Sequence, residues 1–123
     1  MAKVMVVDDD EDFTNLYKAS LRAAGYDAIA VNQSAAAIEM AYLSKPDVFL
    51  IDLMMPELDG FQLCRLIRAD PVLKHIPIII VTALTDLDSR LVALGAGAND
   101  YLTKPFHIET LKSRIDAVLE GVT

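Results

Sequence analysis

The apolar run Phe49-Leu50-Ile51 leads straight into one carboxylate, Asp52, and Pro56 prevents the strand from resuming. Apolar residues on both faces mark a strand buried on both sides. Such a strand needs layers above and below it, which points to an α/β arrangement. It also leaves Asp52 at the carboxyl end of a central strand, where open α/β sheets collect their ligands.

The flanking segments supply the layers. Lys3 to Val7 is another short apolar run, ending in Asp8-Asp9-Asp10. Phe13, Leu16, Tyr17, Leu21 and Ala24 then recur at helical spacing, and Gly25 supplies the stop. Tyr26 to Val31 reads as a second strand. Ser34 is placed to cap a helix whose inner face carries Ala37, Ile38, Ala41 and Tyr42, ending before Pro46. Asp47 to Asp52 is the third strand, and Asp59 is placed to cap a helix bearing Phe61, Leu63, Cys64, Leu66 and Ile67. Asp70-Pro71 ends that helix, and Pro77 to Val81 forms a fourth strand with Thr82 at its end. Thr85 or Asp86 opens a helix through Leu94, broken by Gly95-Ala96-Gly97. Tyr101-Leu102 belongs to a short fifth strand, and Ile108, Leu111, Ile115, Val118 and Leu119 mark a last helix ending near Glu120.

Five strands alternating with five helices predict a single domain over residues 1–123. The expected fold is a flavodoxin-like (βα)5, a doubly wound parallel sheet with helices on both faces and right-handed crossovers. The expected strand order, 2-1-3-4-5, is taken over from known doubly wound sheets, since local spacing does not select an order.

Composition narrows the function classes. A net charge of −7 argues against nucleic acid as a direct partner, because a phosphate backbone attracts a basic face. One cysteine, Cys64, excludes an internal disulfide, and no Cys/His cluster has zinc spacing. No apolar run is long enough for a signal peptide or a membrane span, so a cytoplasmic location and no membrane partner are expected.

In a sheet of this order the ends of strands one, three, four and five share one rim, which receives Asp8, Asp9, Asp52, Thr82 and Lys104. Crowded carboxylates resist ionising together. A hard divalent cation relieves that conflict, and one or two carboxylates with water and a phosphate is the style of a Mg²⁺ site. A metal, an ammonium and a hydroxyl around one carboxylate suit phosphoryl transfer, which depends on positioning and charge neutralisation. Asp52, single and centred, has the better claim to attack phosphorus and form an acyl phosphate. Asp10, Glu11 and Asp12 read as an acidic helix start favoured by the helix dipole. His75 and His107 receive no role.

Four motifs stand in a familiar order and spacing. They are Val6-Val7-Asp8-Asp9-Asp10, the stretch from Leu50 to Gly60 around Asp52, Val81-Thr82-Ala83, and Gly97 to Phe106. Over essentially its whole length the chain resembles a response-regulator receiver domain of two-component signalling. The resemblance implies that Asp52 accepts a phosphoryl group from a phosphohistidine on a sensor histidine kinase or a histidine phosphotransfer protein. It implies Mg²⁺, or Mn²⁺, bound by Asp9, Asp52 and the backbone carbonyl of Met54, with Asp8 holding a metal-bound water. Thr82 and Lys104 would contact phosphoryl oxygens, Tyr101 would be the aromatic switch, and the Lys104-Pro105 peptide would be cis. The signalling surface would be formed by the fourth helix, fifth strand and fifth helix. It would serve an output protein, a fused output domain or a second copy of the chain in a homodimer. Exposed residues of the first helix, Asn15, Lys18, Ala19 and Arg22, would face the kinase.

Such a domain is not an enzyme toward outside substrates; it catalyses only its own phosphorylation and slow self-dephosphorylation. Slowness is expected because Met54 and Leu84, two residues beyond Asp52 and Thr82, cannot orient an attacking water by hydrogen bonding. Two other readings compete. A haloacid-dehalogenase-type phosphatase would use Asp8 as nucleophile and Asp10 as acid/base, but Asp12 is not the threonine or valine such a site expects. A pseudo-receiver that binds without being phosphorylated is disfavoured, since no member of the chemical set is missing.

Overall fold

Lys3–Val7 (β1), Asp27–Val31 (β2), Val48–Ile51 (β3), Ile78–Thr82 (β4) and Asp100–Thr103 (β5) form one parallel sheet in the computed structural model. The structure describes residues 1–121. The strand order is β2-β1-β3-β4-β5, as expected. Glu11–Ala23 (α1), Ala37–Ser44 (α2), Gly60–Ala69 (α3), Leu87–Gly95 (α4) and Ile108–Glu120 (α5) follow the strands in turn. Val122 and Thr123, the last residues of the expected single domain, lie outside the described residues.

The two-faced apolar strands are explained by two separate cores. Val4, Val6, Leu50, Ile79 and Val81 point to one side, where they meet Leu21 of α1 and Leu111 and Ile115 of α5. Met5, Val7, Phe49, Ile51, Ile78 and Ile80 point to the other, against Ala37, Ala41, Leu63, Cys64, Ile67 and Ala93 of α2, α3 and α4. Each fully buried aliphatic side chain stabilises the fold by roughly 1.5–3 kcal/mol. The inner strands therefore admit a polar residue only where they end.

Three helix starts follow the sequence signals. The Asp10 side chain accepts from the Phe13 N–H, Asp86 accepts from Ser89, and Asp59 forms a capping box with Gln62. Ser34 does not cap α2. It opens a 3-10 turn over Ser34–Ala36, and its hydroxyl donates to the Pro56 carbonyl at 3.1 Å and accepts from the Leu58 N–H at 3.3 Å. The hydroxyl is thus spent on the turn that follows β3.

The helical stripes are narrower than periodicity alone implies. Leu16 is 61% exposed and Tyr42 43% exposed, and Leu66 is exposed as well. On α1 the inward position goes instead to a polar residue, Thr14, whose hydroxyl accepts from Asn32 Nδ2 at 2.8 Å. Tyr42 is drawn outward by a hydrogen bond from its hydroxyl to the Asp70 carboxylate. No described helix is long and apolar enough to cross a membrane.

Candidate functional site

Strand register assembles the site. Val7 of β1 is level with Ile51 of β3, so Asp8 and Asp52 emerge side by side, and the Asp52 N–H donates to the Val7 carbonyl at 3.0 Å. Thr82 of β4 is level with Thr103 of β5, and the Lys104 N–H donates to the Thr82 carbonyl at 2.8 Å. Backbone ladders thus carry four candidate residues to the same rim.

Side-chain geometry then separates the carboxylates. Asp8 is buried, and both its oxygens are engaged: Oδ2 accepts from Lys104 Nζ at 2.7 Å and Oδ1 from the Asp10 N–H at 3.0 Å. Asp52 is 9% exposed, and its Oδ2 lies 3.6 Å from Lys104 Nζ. Its Oδ1 is the buried side-chain polar atom without a hydrogen-bond partner among the described residues. Orphaned buried acceptors are uncommon and call for a physical reason. Asp9 is exposed, and one oxygen from each of Asp8, Asp9 and Asp52 lies within 4.8 Å of the others.

Three carboxylates against one ammonium leave two negative charges in a partly desolvated pocket. Burial pushes the Asp8 carboxyl above its ordinary value. The Lys104 hydrogen bond and the Asp10 N–H pull it down, while the charge of Asp52 pushes with burial. Hard oxygen donors, an excess of negative charge and the unpartnered Asp52 oxygen fit a small divalent cation.

Thr82 is fully buried at the end of β4, and its Oγ1 accepts only a long contact, 3.5 Å, from the Leu84 N–H. Met54 turns its side chain out, 62% exposed, so only its backbone can serve the pocket. Tyr101 is buried, with its hydroxyl donating to the Leu84 carbonyl at 2.8 Å. The Lys104-Pro105 peptide is cis.

Several residues that shape the site have no chemical signature in the sequence. A Cβ on Gly60 would stand 2.3 Å from the Asp52 carbonyl oxygen and 2.7 Å from Leu53 Cα, so α3 begins hard against the backbone of Asp52. A glycine inside a helix start, where it is a poor helix former, is the one signal available. Asn32 Nδ2 donates to the Asp8 carbonyl at 3.0 Å and ties β2 to the rim. Phe13, expected only as core, has its ring under the Lys104 ammonium, 3.7 Å from Nζ to the ring centroid.

A doubly wound sheet with an acidic cluster, a lysine and a hydroxyl at the carboxyl ends of its strands is an arrangement chemically suited to phosphoryl transfer. Comparison with known proteins makes the class specific. The family model for the response regulator receiver domain matches residues 4–116. Response regulator PleD of Caulobacter vibrioides is 40% identical over 114 residues, covering 93% of this chain and 25% of that protein. The DNA-binding dual master transcriptional regulator RpaA of Synechocystis is 34% identical over 119 residues, covering 97% of this chain and 49% of that protein. The chain therefore spans about half the length of one relative and a quarter of the other. Among solved structures, the Francisella response regulator 1452 receiver domain matches with a TM-score of 0.91 at 32% identity, covering 100% of both chains. Vibrio cholerae chemotaxis protein CheY4 matches with a TM-score of 0.90 at 30% identity, covering 96% of this chain and 98% of that one. The chain belongs to the response regulator receiver family, and it is a signalling domain of two-component systems.

Proposed function

We propose that Asp52 is the phosphoacceptor of this receiver and that the whole chain, residues 1–123, acts as one phosphorylation-driven switch. The observation that carries this reading is the buried Asp52 Oδ1 without a partner, beside an ammonium already in place. Asp8, the nucleophile of the competing phosphatase reading, has both oxygens occupied by Lys104 and Asp10.

The donor is a phosphohistidine on a sensor histidine kinase or a histidine phosphotransfer protein. One carboxylate oxygen of Asp52 attacks phosphorus, a P–O bond forms and the P–N bond breaks. The imidazole nitrogen leaves with the bonding electron pair and is neutralised by a proton. Asp9, Asp52 and the Met54 carbonyl would hold Mg²⁺ or Mn²⁺, with Asp8 acting through water, and the ion would offset charge on the phosphoryl oxygens. Lys104 and the Thr82 hydroxyl each take a phosphoryl oxygen. Lys104 has only to move from the Asp8 pair, and Thr82 has no strong competing partner.

Phosphorylation adds nearly two negative charges. Drawing Thr82 toward them biases the position of Tyr101 and with it the face of α4, β5 and α5. A buried Tyr101 bonded to Leu84 is the arrangement this reading assigns to the signalling state. Inverting a 1:99 population takes roughly 5.5 kcal/mol of differential contact, which a metal, a salt bridge and a hydroxyl can together supply. The switched face engages an output protein, a fused output domain or a second copy in a homodimer. Any DNA contact belongs to that output, because this chain is acidic. The domain works in the cytoplasm and turns over no outside substrate.

Incubation with acetyl phosphate and Mg²⁺ should add one phosphoryl mass to the wild type and none to Asp52→Asn. Equal labelling of the two would overturn the assignment, and multiple turnover of a generic phosphate ester would favour the phosphatase reading.

A further inference from the structure

Lys104 has three N–H donors and three neighbours. Asp8 Oδ2 takes one side at 2.7 Å, Asp52 Oδ2 stands at 3.6 Å, and the face of the Phe13 ring closes a third side at 3.7 Å. The electron-rich ring face attracts a cation, the more strongly where water is excluded. A third carboxylate in that place would compete with an incoming phosphoryl oxygen, and open solvent would let the flexible lysine stem wander. The ring does neither. It attracts the ammonium without offering it a hydrogen-bond acceptor.

The ring is itself held. The Phe13 N–H donates to the Asp10 side chain at 3.1 Å, so the first turn of α1 is pinned to the acidic loop that carries Asp8 and Asp9. Phe13 packs on Tyr17 with centroids 4.3 Å apart, and Tyr17 packs on Phe106 at 4.9 Å. Phe106 lies two residues beyond Lys104, so the three rings join α1 to the segment that presents the lysine.

We propose that Phe13 is a positioning residue for phosphoryl transfer, acting through Lys104: its ring keeps the ammonium beside Asp52 while the Asp8 contact is exchanged for a phosphoryl oxygen. The inference rests on the reading of Asp52 as phosphoacceptor.

The test uses Phe13→Leu, which keeps an apolar side chain against Tyr17 but removes the ring, and Phe13→Tyr, which restores a ring. Initial rates of Asp52 labelling by acetyl phosphate with Mg²⁺ should fall roughly three- to tenfold in Phe13→Leu and return close to wild type in Phe13→Tyr. On a Lys104→Met background, Phe13→Leu should have no further effect, because the interaction it removes is already gone. In metal-free protein, NMR should find the Lys104 ε-methylene protons shifted upfield by the ring current in wild type and Phe13→Tyr, and unshifted in Phe13→Leu. Unshifted methylenes in the wild type, an unchanged rate in Phe13→Leu, or the same slowing with and without Lys104 would each overturn the proposal. Failure of the wild type to label at all would instead sink the phosphoacceptor reading, and the NMR arm would still decide whether Phe13 holds Lys104.

Discussion

Tyr101 and Leu84 are joined by a hydrogen bond from the phenol to the backbone carbonyl, 2.8 Å long, which ties β5 to the loop after β4. The Arg90 guanidinium lies over the same ring, 5.3 Å from its centroid, so α4 also rests on it. Thr82 is the last residue of β4, immediately before that loop, and Leu84 lies within it. In the proposed switch, a pull on Thr82 toward Asp52 would reach the tyrosine through two residues of chain.

Removing only the hydroxyl should expose how much that bond contributes. Tyr101→Phe keeps the ring and the Arg90 contact and should lower stability by about 1 kcal/mol. Tyr101→Ala leaves a cavity under α4 and should lower it by about 3–5 kcal/mol. Urea unfolding of both variants distinguishes the two contributions. Equal losses would mean that the hydroxyl, and not the packed ring, anchors the loop.

Gly60 is required by contact. The 2.3 Å approach of its would-be Cβ to the Asp52 carbonyl involves backbone on both sides, so neither partner can rotate away. Gly60→Ala should destabilise the fold by about 1–3 kcal/mol and displace the Asp52 backbone. Slower labelling by acetyl phosphate, alongside a lower urea midpoint, is the expected pair of results. Normal labelling in a destabilised variant would show that the phosphoacceptor tolerates the shift.

Cys64 is fully buried on α3, and burial pushes its thiol from 9.0 up to about 12. Native protein at pH 8 should therefore not react with a disulfide reagent such as DTNB, whereas urea-unfolded protein should react at once. The same shift has a sign for stability. The fold favours the neutral thiol, so its contribution is complete below about 9 and is lost as pH rises toward about 12. Tyr26 adds in the same direction, raised first by burial and then by its hydrogen bond to Asp116. Thermal midpoints should fall steadily across that alkaline window, and a flat profile would contradict both shifts.

The layered sheet is legible because its signals are local. Strands apolar on both faces, acidic residues at helix starts and Gly or Pro stops each lie within a few residues. The rim residues are legible because strand ends in a doubly wound sheet converge by topology. Contacts that cross the sheet are not. Ser34 reads as a cap, since a hydroxyl before a helical stripe has that local meaning, and its partner Pro56 lies 22 positions away. Arg68 reads as one more charge on α3. In the folded chain it donates to the carbonyls of Gly97, Lys74 and Ile76 and to Asn99 Oδ1, clamping the loops after α3 and α4 together. Phe13 fits an apolar stripe, and periodicity carries no information that the ring lies under a lysine ninety-one positions later.

The proposed phosphorylation of Asp52 should be long-lived because of what Met54 and Leu84 lack. Met54 turns out to solvent, while Leu84 is half-buried and spends its carbonyl on Tyr101. Neither side chain carries a group that can hydrogen-bond an attacking water, so slow hydrolysis of the proposed acyl phosphate is expected. Met54→Asn with Leu84→Glu supplies such groups at both positions while leaving the Leu84 backbone bond to Tyr101 available. Decay of the phosphorylated form, followed by mass after removal of acetyl phosphate, should accelerate on the order of tenfold to a hundredfold. Single replacements should give intermediate rates. An unchanged half-life in the double variant would mean that access to phosphorus, not orientation of water, limits the decay.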